Sequence, residues 1–149
     1  MAQTYFGSAV RMGSGTLTDT VDGGFAVLAQ TTTVTTAAAG TATSATITIP
    51  ANSQIIDLFV DGTTVAVAGA GTATAIAVTV GTAAAGPQYM SSTDGIAGGR
   101  LTFAPTAAQT AAMADVTTNQ SVVITVDPNG TISTTQGVFR LTVVYAQKV

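Results

Sequence analysis

The chain has 149 residues, with seven acidic and four basic side chains, a formal net charge of −3, and no His, Cys or Trp. Only 7% of its residues are charged, against about 25% in ordinary soluble domains. Thiol and imidazole nucleophiles, zinc or haem ligand sets and disulfide frameworks are therefore excluded. The acidic balance and the scatter of Arg11, Arg100, Arg140 and Lys148 argue against a nucleic-acid partner, which requires a basic patch.

Residues 1–24 are rich in Gly, Ser and Thr, with scattered Tyr5, Phe6, Val10 and Met12 and no sustained period. They read as an extended N-terminal arm ahead of one domain at 25–149, because a chain of this length fits a single core. Two readings of the arm stay open. One is a frayed terminus, common where nothing ties an end down. The other is a strap laid on a partner, with Tyr5 and Phe6 as anchors and Val10, Arg11 and Met12 extending the contact, since free tails are usually poorer in aromatics. Met1 to Val10 lacks the basic start and Leu-rich stretch of a secretory signal.

From Phe25 onward the chain predicts strands. Phe25, Val27 and Ala29 alternate, the run Thr31 to Thr36 is rich in β-branched residues, and Ala37-Ala38-Ala39-Gly40 interrupts it. Ala45, Ile47 and Ile49 then oppose Ser44, Thr46 and Thr48, the period of a half-buried strand. Pro50-Ala51-Asn52 turns the chain, after which Ile56, Leu58 and Val60 oppose Ile55, Asp57 and Phe59. Asp61-Gly62 predicts a hairpin turn. Val65 and Val67 share a face, Gly69-Ala70-Gly71 forms a loop, and Ile76, Val78 and Val80 alternate with Ala75, Ala77 and Thr79. Residues 81–99 read as a loop and 100–103 as a short strand.

Pro105 introduces the single helix candidate, residues 106–114, where Thr106 and Gln109 fit a capping box. Val122, Ile124 and Val126 alternate before Asp127-Pro128-Asn129-Gly130, which predicts a hairpin leading into Thr131-Ile132-Ser133. The last strand places Phe139, Leu141, Val143 and Tyr145 opposite Val138, Arg140, Thr142 and Val144. The fold expected is all-β: a β-sandwich or jelly-roll-like barrel with one short helix in a connection.

Long uncharged runs separate Gly23 from Ile56 and Gly62 from Thr93. Thr and Gly dilute them below the apolar density of a membrane helix. Three Tyr and five Phe do not furnish the aromatic girdles of a membrane barrel. Thr instead occupies the outward positions that Lys and Glu normally fill, a coat that costs little to desolvate and leaves strand edges without deterrent charges. The many inward Ala residues imply a thin core, which favours stabilisation by association.

All seven acids are Asp: Asp19, Asp22, Asp57, Asp61, Asp94, Asp115 and Asp127. Asp57 and Asp61 share a strand face about 13 Å apart, too far for the acid–base pair of a glycosidase. Asp61 and Asp127 read as turn residues, and Asp19 and Asp22 match no calcium loop. Gly13-Ser14-Gly15-Thr16 and Gly69-Ala70-Gly71-Thr72 lack the Lys and helix of a phosphate-binding loop. Asn119-Gln120-Ser121 and Asn129-Gly130-Thr131 fit the glycosylation pattern, but without a secretory signal it carries no weight. No nucleophile–base pair can be assembled, so neither an enzyme, a cofactor nor a bound metal is expected.

The order of segments from about Thr41 onward resembles small virion proteins of tailed bacteriophages. The features are Ile47-Thr48-Ile49-Pro50-Ala51-Asn52-Ser53-Gln54-Ile55-Ile56-Asp57 and Ala75-Ile76-Ala77-Val78-Thr79-Val80-Gly81-Thr82. Gly99-Arg100-Leu101, the helix segment after Pro105 and Phe139-Arg140-Leu141-Thr142-Val143-Val144-Tyr145 complete them. The family it looks like is the capsid decoration, or cement, proteins. That resemblance implies a β-sandwich or jelly-roll domain bound to the major capsid protein on the capsid exterior as a homodimer or homotrimer, with no catalytic residues. The alternative is a receptor- or glycan-binding fibre or adhesin module, for which residues 81–99 offer one ring, Tyr89.

Overall fold

A computed structural model describes residues 25–148. Period-2 alternation builds most of its strands. In β2 (Thr43–Ile49) Ile47 and Ile49 are buried; in β4 (Ile76–Gly81) Ile76, Val78 and Val80 are. The remaining elements are β1 (Phe25–Thr35), β3 (Ser53–Thr64), β5 (Met90–Asp94), β6 (Gly99–Arg100), α1 (Ala107–Ala114), β7 (Gln120–Pro128) and β8 (Val138–Lys148). Phe139, Leu141, Val143 and Tyr145 of β8 all point inward. The helix starts where Thr106 and Gln109 close the expected capping box.

All six pairings are antiparallel, and four of them follow one rule: the first strand pairs with the eighth, the second with the seventh, the third with the sixth, the fourth with the fifth; β3–β8 and β4–β7 join these pairs into sheets. A long hairpin rolled up on itself has this pattern, and it yields two four-stranded sheets ordered β1-β8-β3-β6 and β2-β7-β4-β5. The fold is thus an all-β sandwich with jelly-roll strand order. One side of the sandwich is sealed by side chains. Gln30 Nε2 donates to Thr48 O at 3.2 Å and to Tyr145 Oη at 2.8 Å, and Thr43 Oγ1 donates to Thr35 O at 2.7 Å. These bonds occupy the margins where β1 and β2 would otherwise offer bare edges.

The core departs from the alanine-filled interior expected. It consists mainly of Val, Ile, Leu, Phe, Tyr and Met, and among the described alanines only Ala66, Ala73 and Ala146 are buried. The remaining alanines fall in turns and on outer faces, where a small side chain leaves the pleat uncrowded. The two sheets interlock where Phe139 of β8 sits against Gly95, just after β5; a Cβ on Gly95 would lie 2.6 Å from the ring.

Four local expectations are corrected. Ile55 is buried and Ile56 is 52% exposed, because β3 carries a bulge between Ile55 and Asp57 against β8. The extra residue inverts the alternation before it and leaves Leu58 and Val60 inward. Asp61-Gly62 is not a turn: β3 runs through it, Asp61 facing Arg140 on one side and Arg100 on the other. Nor does Asp127-Pro128-Asn129-Gly130 close a hairpin. Asn129 Oδ1 accepts from Thr74 N at 2.8 Å and Ala75 N at 3.0 Å, and the chain crosses to the other sheet. Residues 81–99, expected as a loop, contain β5, while of the strand expected over 100–103 only Arg100 is in a strand, together with Gly99 in the two-residue β6.

Candidate functional site

The two outer faces differ in chemistry. On the β2-β7-β4-β5 sheet, Ser44 pairs with Thr125 and Thr125 with Thr79, all on the outer side. Ser44 and Thr125 share a hydroxyl–hydroxyl bond of 2.9 Å, and Thr125 Oγ1 accepts from Ala85 N at 2.8 Å. The turn after β4 therefore folds over this face, and β7 is buried on both sides. Here the hydroxyl coat is as expected.

The β1-β8-β3-β6 sheet presents something else. Its register stacks outward residues in rows, because directly paired residues share a face. One row joins Thr33, Arg140, Asp61 and Arg100 across all four strands. The next joins Thr31, Thr142 and Phe59; the one after joins Ala29, Val144 and Asp57; the last joins Val27, Ala146 and Gln54. The bulged Ile56 stands between these last two rows. The face thus runs from an aliphatic strip of Val27, Ala29, Val144 and Ile56, flanked on β3 by Gln54 and Asp57, to a charged row toward Thr33. Val27 of β1 is 64% exposed and Ile56, across β8 on β3, is more than half exposed. No other described strand face shows two large aliphatic side chains so open.

The charged row is joined by ion pairs. Arg100 binds Asp61 through Nε and, at 3.3 Å, through Nη2, while Arg140 Nη2 donates to Asp61 Oδ2 at 3.2 Å. The Arg100 guanidinium also lies 4.5 Å from the Phe59 ring centroid, within cation–π range. The Arg100 hydrogen bond, opposed by partial desolvation and reinforced by Arg140, holds the Asp61 carboxyl below its ordinary range. Asp61 therefore stays ionised and serves as an anchor that spaces two cations. Beside it, Asp57, Phe59, Arg100, Thr102 and Phe103 help line an open cleft of ≈ 220 Å³.

The sequence-designated contact residues Tyr5, Phe6, Val10, Arg11 and Met12 lie outside the described residues, as do Asp19 and Asp22. The other carboxylates are dispersed. Asp57 Oδ1 accepts from Leu58 N at 2.8 Å, and Asp94 Oδ1 accepts from both Ile76 N and Ile96 N at 3.0 Å. Asp115 caps the C-terminus of α1. Asp127, expected in a turn, is exposed in β7. Asn119 accepts from Ala51 N at 2.9 Å, so both asparagines of the glycosylation patterns serve as local braces. Tyr89 is 2% exposed, and that burial raises its phenol pKa.

The Asp61–Arg100–Arg140 cluster was not foreseen, since its members come from three strands distant in sequence. The outward position of Arg140 was the one signal for it. Among the described residues no helix is long and apolar enough to cross a membrane. No protein-family model, curated protein or solved structure matches the chain.

Proposed function

We propose that this protein is a structural virion component, a decoration or cement protein that binds the outside of a bacteriophage capsid shell as a homo-oligomer and stabilises it. The observation that carries the reading is the unequal pair of outer faces. One is coated with hydroxyls and partly covered by its own turn; the other shows an aliphatic strip with the exposed Val27 and Ile56 and, beyond the Thr31–Thr142–Phe59 row, an ion-paired Arg–Asp–Arg row. An apolar centre with an ordered polar rim is the anatomy of a protein interface, and exposed aliphatic clusters on a sheet mark docking surfaces. The resemblance of the strand and turn order to decoration proteins names the partner, the major capsid protein.

The mechanism is mass action. A ligand that binds the assembled lattice and not its separated subunits adds RT ln(1 + [L]/Kd) to lattice stability. Several modest contacts per oligomer combine through high effective concentration. The glycan-binding alternative gains nothing, because the Tyr89 ring it would stack a sugar upon is buried.

Co-sedimentation with empty shells tests this. Ile56→Asp replaces the exposed aliphatic side chain with a second carboxylate next to Asp57, and Thr46→Asp places one on the other sheet, both at exposed positions. The proposal predicts that Ile56→Asp abolishes pelleting with shells while Thr46→Asp leaves it intact. Equal behaviour of the two variants, or failure of the unaltered protein to pellet, refutes it.

A further inference from the structure

The cleft beside Phe59 is the size of one ring. At ≈ 220 Å³ it exceeds the cavity of about 150 Å³ that accepts benzene, yet is well below the volume of an ordinary ligand pocket. Phe59 and Phe103 line it with Leu58 and Leu101, and Asp57, Arg100 and Thr102 are its polar lining residues. An aromatic residue with a hydroxyl tip fits such a site: the ring meets other rings edge or face on, and the hydroxyl donates to the carboxylate. From this cleft the apolar zone of Val144, Ile56 and Val27 continues toward Phe25.

The chain holds a segment of that chemistry. Every aromatic side chain from Ala26 to Gln147 is accounted for: Tyr89, Phe139 and Tyr145 are buried, and Phe59 and Phe103 line the cleft itself. Outside the described residues stand Tyr5 and Phe6, followed by Val10 and Met12. We infer that the cleft of the β1-β8-β3-β6 sheet receives the Tyr5–Phe6 segment of a second copy of this chain. The inference rests on the homo-oligomer part of the proposed function.

Reach and direction select the second copy. Twenty residues separate Tyr5 from Phe25, a stretch that spans up to about 65 Å when extended. A domain of this length is about 35 Å across, so a neighbour's cleft is within range. β1 climbs its own face from Phe25, and Ala29 shares a row with Asp57 through Val144. The cleft of the same copy therefore lies only about 20 Å from Phe25, from strand rise and spacing. Filling it would require the chain to reverse direction at Phe25 against the run of β1, which passing to a neighbour does not. An aromatic anchor in a pocket with an aliphatic flank is the usual form of an interface hot spot.

The absence of cysteine makes a spin label simple to place. Full-length protein carrying Ala2→Cys and a nitroxide is mixed with unlabelled-thiol, ¹⁵N-labelled full-length protein. The inference predicts intensity loss at the amides of Phe59, Leu101 and Phe103 in the mixture, and recovery when the spin-labelled copy also carries Tyr5→Ala and Phe6→Ala. No loss in the mixture, loss only when both labels share one chain, or loss indifferent to Tyr5→Ala and Phe6→Ala overturns it. Shell pelleting is read separately on the same samples. Intermolecular loss without pelleting sinks the capsid assignment alone, and pelleting without intermolecular loss sinks the arm exchange alone.

Discussion

The contact between Gly95 and Phe139 ties the two sheets together, and it predicts a coupling that can be measured. A methyl group on Gly95 would lie 2.6 Å from Phe139 Cε1 and 2.9 Å from Val78 Cγ2. Ordinary contact begins near 3.5 Å, so the ring must retreat by about 1 Å. Phe139 is 1% exposed and has no open space to enter. Gly95→Ala should therefore cost ~1–3 kcal/mol as overpacking, a large share of the ~5–15 kcal/mol that holds a domain together. Phe139→Leu alone should also destabilise, through the cavity it leaves. In the double variant the added methyl enters that cavity. The two changes should then cost less than their sum, with a coupling of ~0.5–3 kcal/mol. Urea unfolding of the parent, both singles and the double gives the four free energies. Additivity within ~0.3 kcal/mol would show that the ring does not press on Gly95, and the interlock would be refuted.

Three further outcomes follow from the same geometry. Deleting Ile56 removes the bulge and restores regular alternation, so the melting temperature should barely move. Deleting Phe59 instead turns Val60 outward, forfeits ~1.5–3 kcal/mol of burial at that residue alone, and should unfold the protein. Because the Asp61 pKa is depressed chiefly by Arg100, its contribution to stability is present above the ordinary carboxylate range, near pH 4. That contribution is lost as pH falls through the lowered value. Asp61→Asn should flatten this part of the acid limb, by ~0.2–1 kcal/mol since both arginines are about half exposed; an unchanged acid melt would contradict the pairing. The Ser53 hydroxyl is buried without a hydrogen-bond partner among the described residues. Ser53→Ala should accordingly raise stability, by up to ~1–3 kcal/mol in chemical denaturation, and a loss would mean that the hydroxyl has a partner.

Regular period-2 segments were legible in the chain. β2, β4 and β8 could be read with their buried faces because alternation is enforced wherever one side meets a core. The capping box of α1 was equally local: Thr106 and Gln109 meet within one turn. Reading failed where a distant partner decides. A bulge such as that at Ile56 adds a residue without altering composition, and only the register against β8 exposes it. Asp61-Gly62 has the chemistry of a turn, yet two arginines contributed by other strands make extended Asp61 the better partner. Asn129 likewise spends its side chain on Thr74 and Ala75 rather than on a hairpin. β5, whose exposed serines and threonine resemble loop composition, is held as a strand by β4. The candidate surface was legible only in fragments, since its rows exist once four strands lie side by side.

The most direct test of the proposed capsid role is electron microscopy of the phage particle on which that role would place this chain. The account predicts density for a small two-sheet sandwich on the capsid exterior, in symmetric groups, with the Val27–Ile56 face against the lattice or a neighbouring copy and the hydroxyl-coated sheet toward solvent. Particles bearing no such density on the shell, or density with the hydroxyl-coated sheet pressed to the lattice and the Ile56 face open to water, would contradict it.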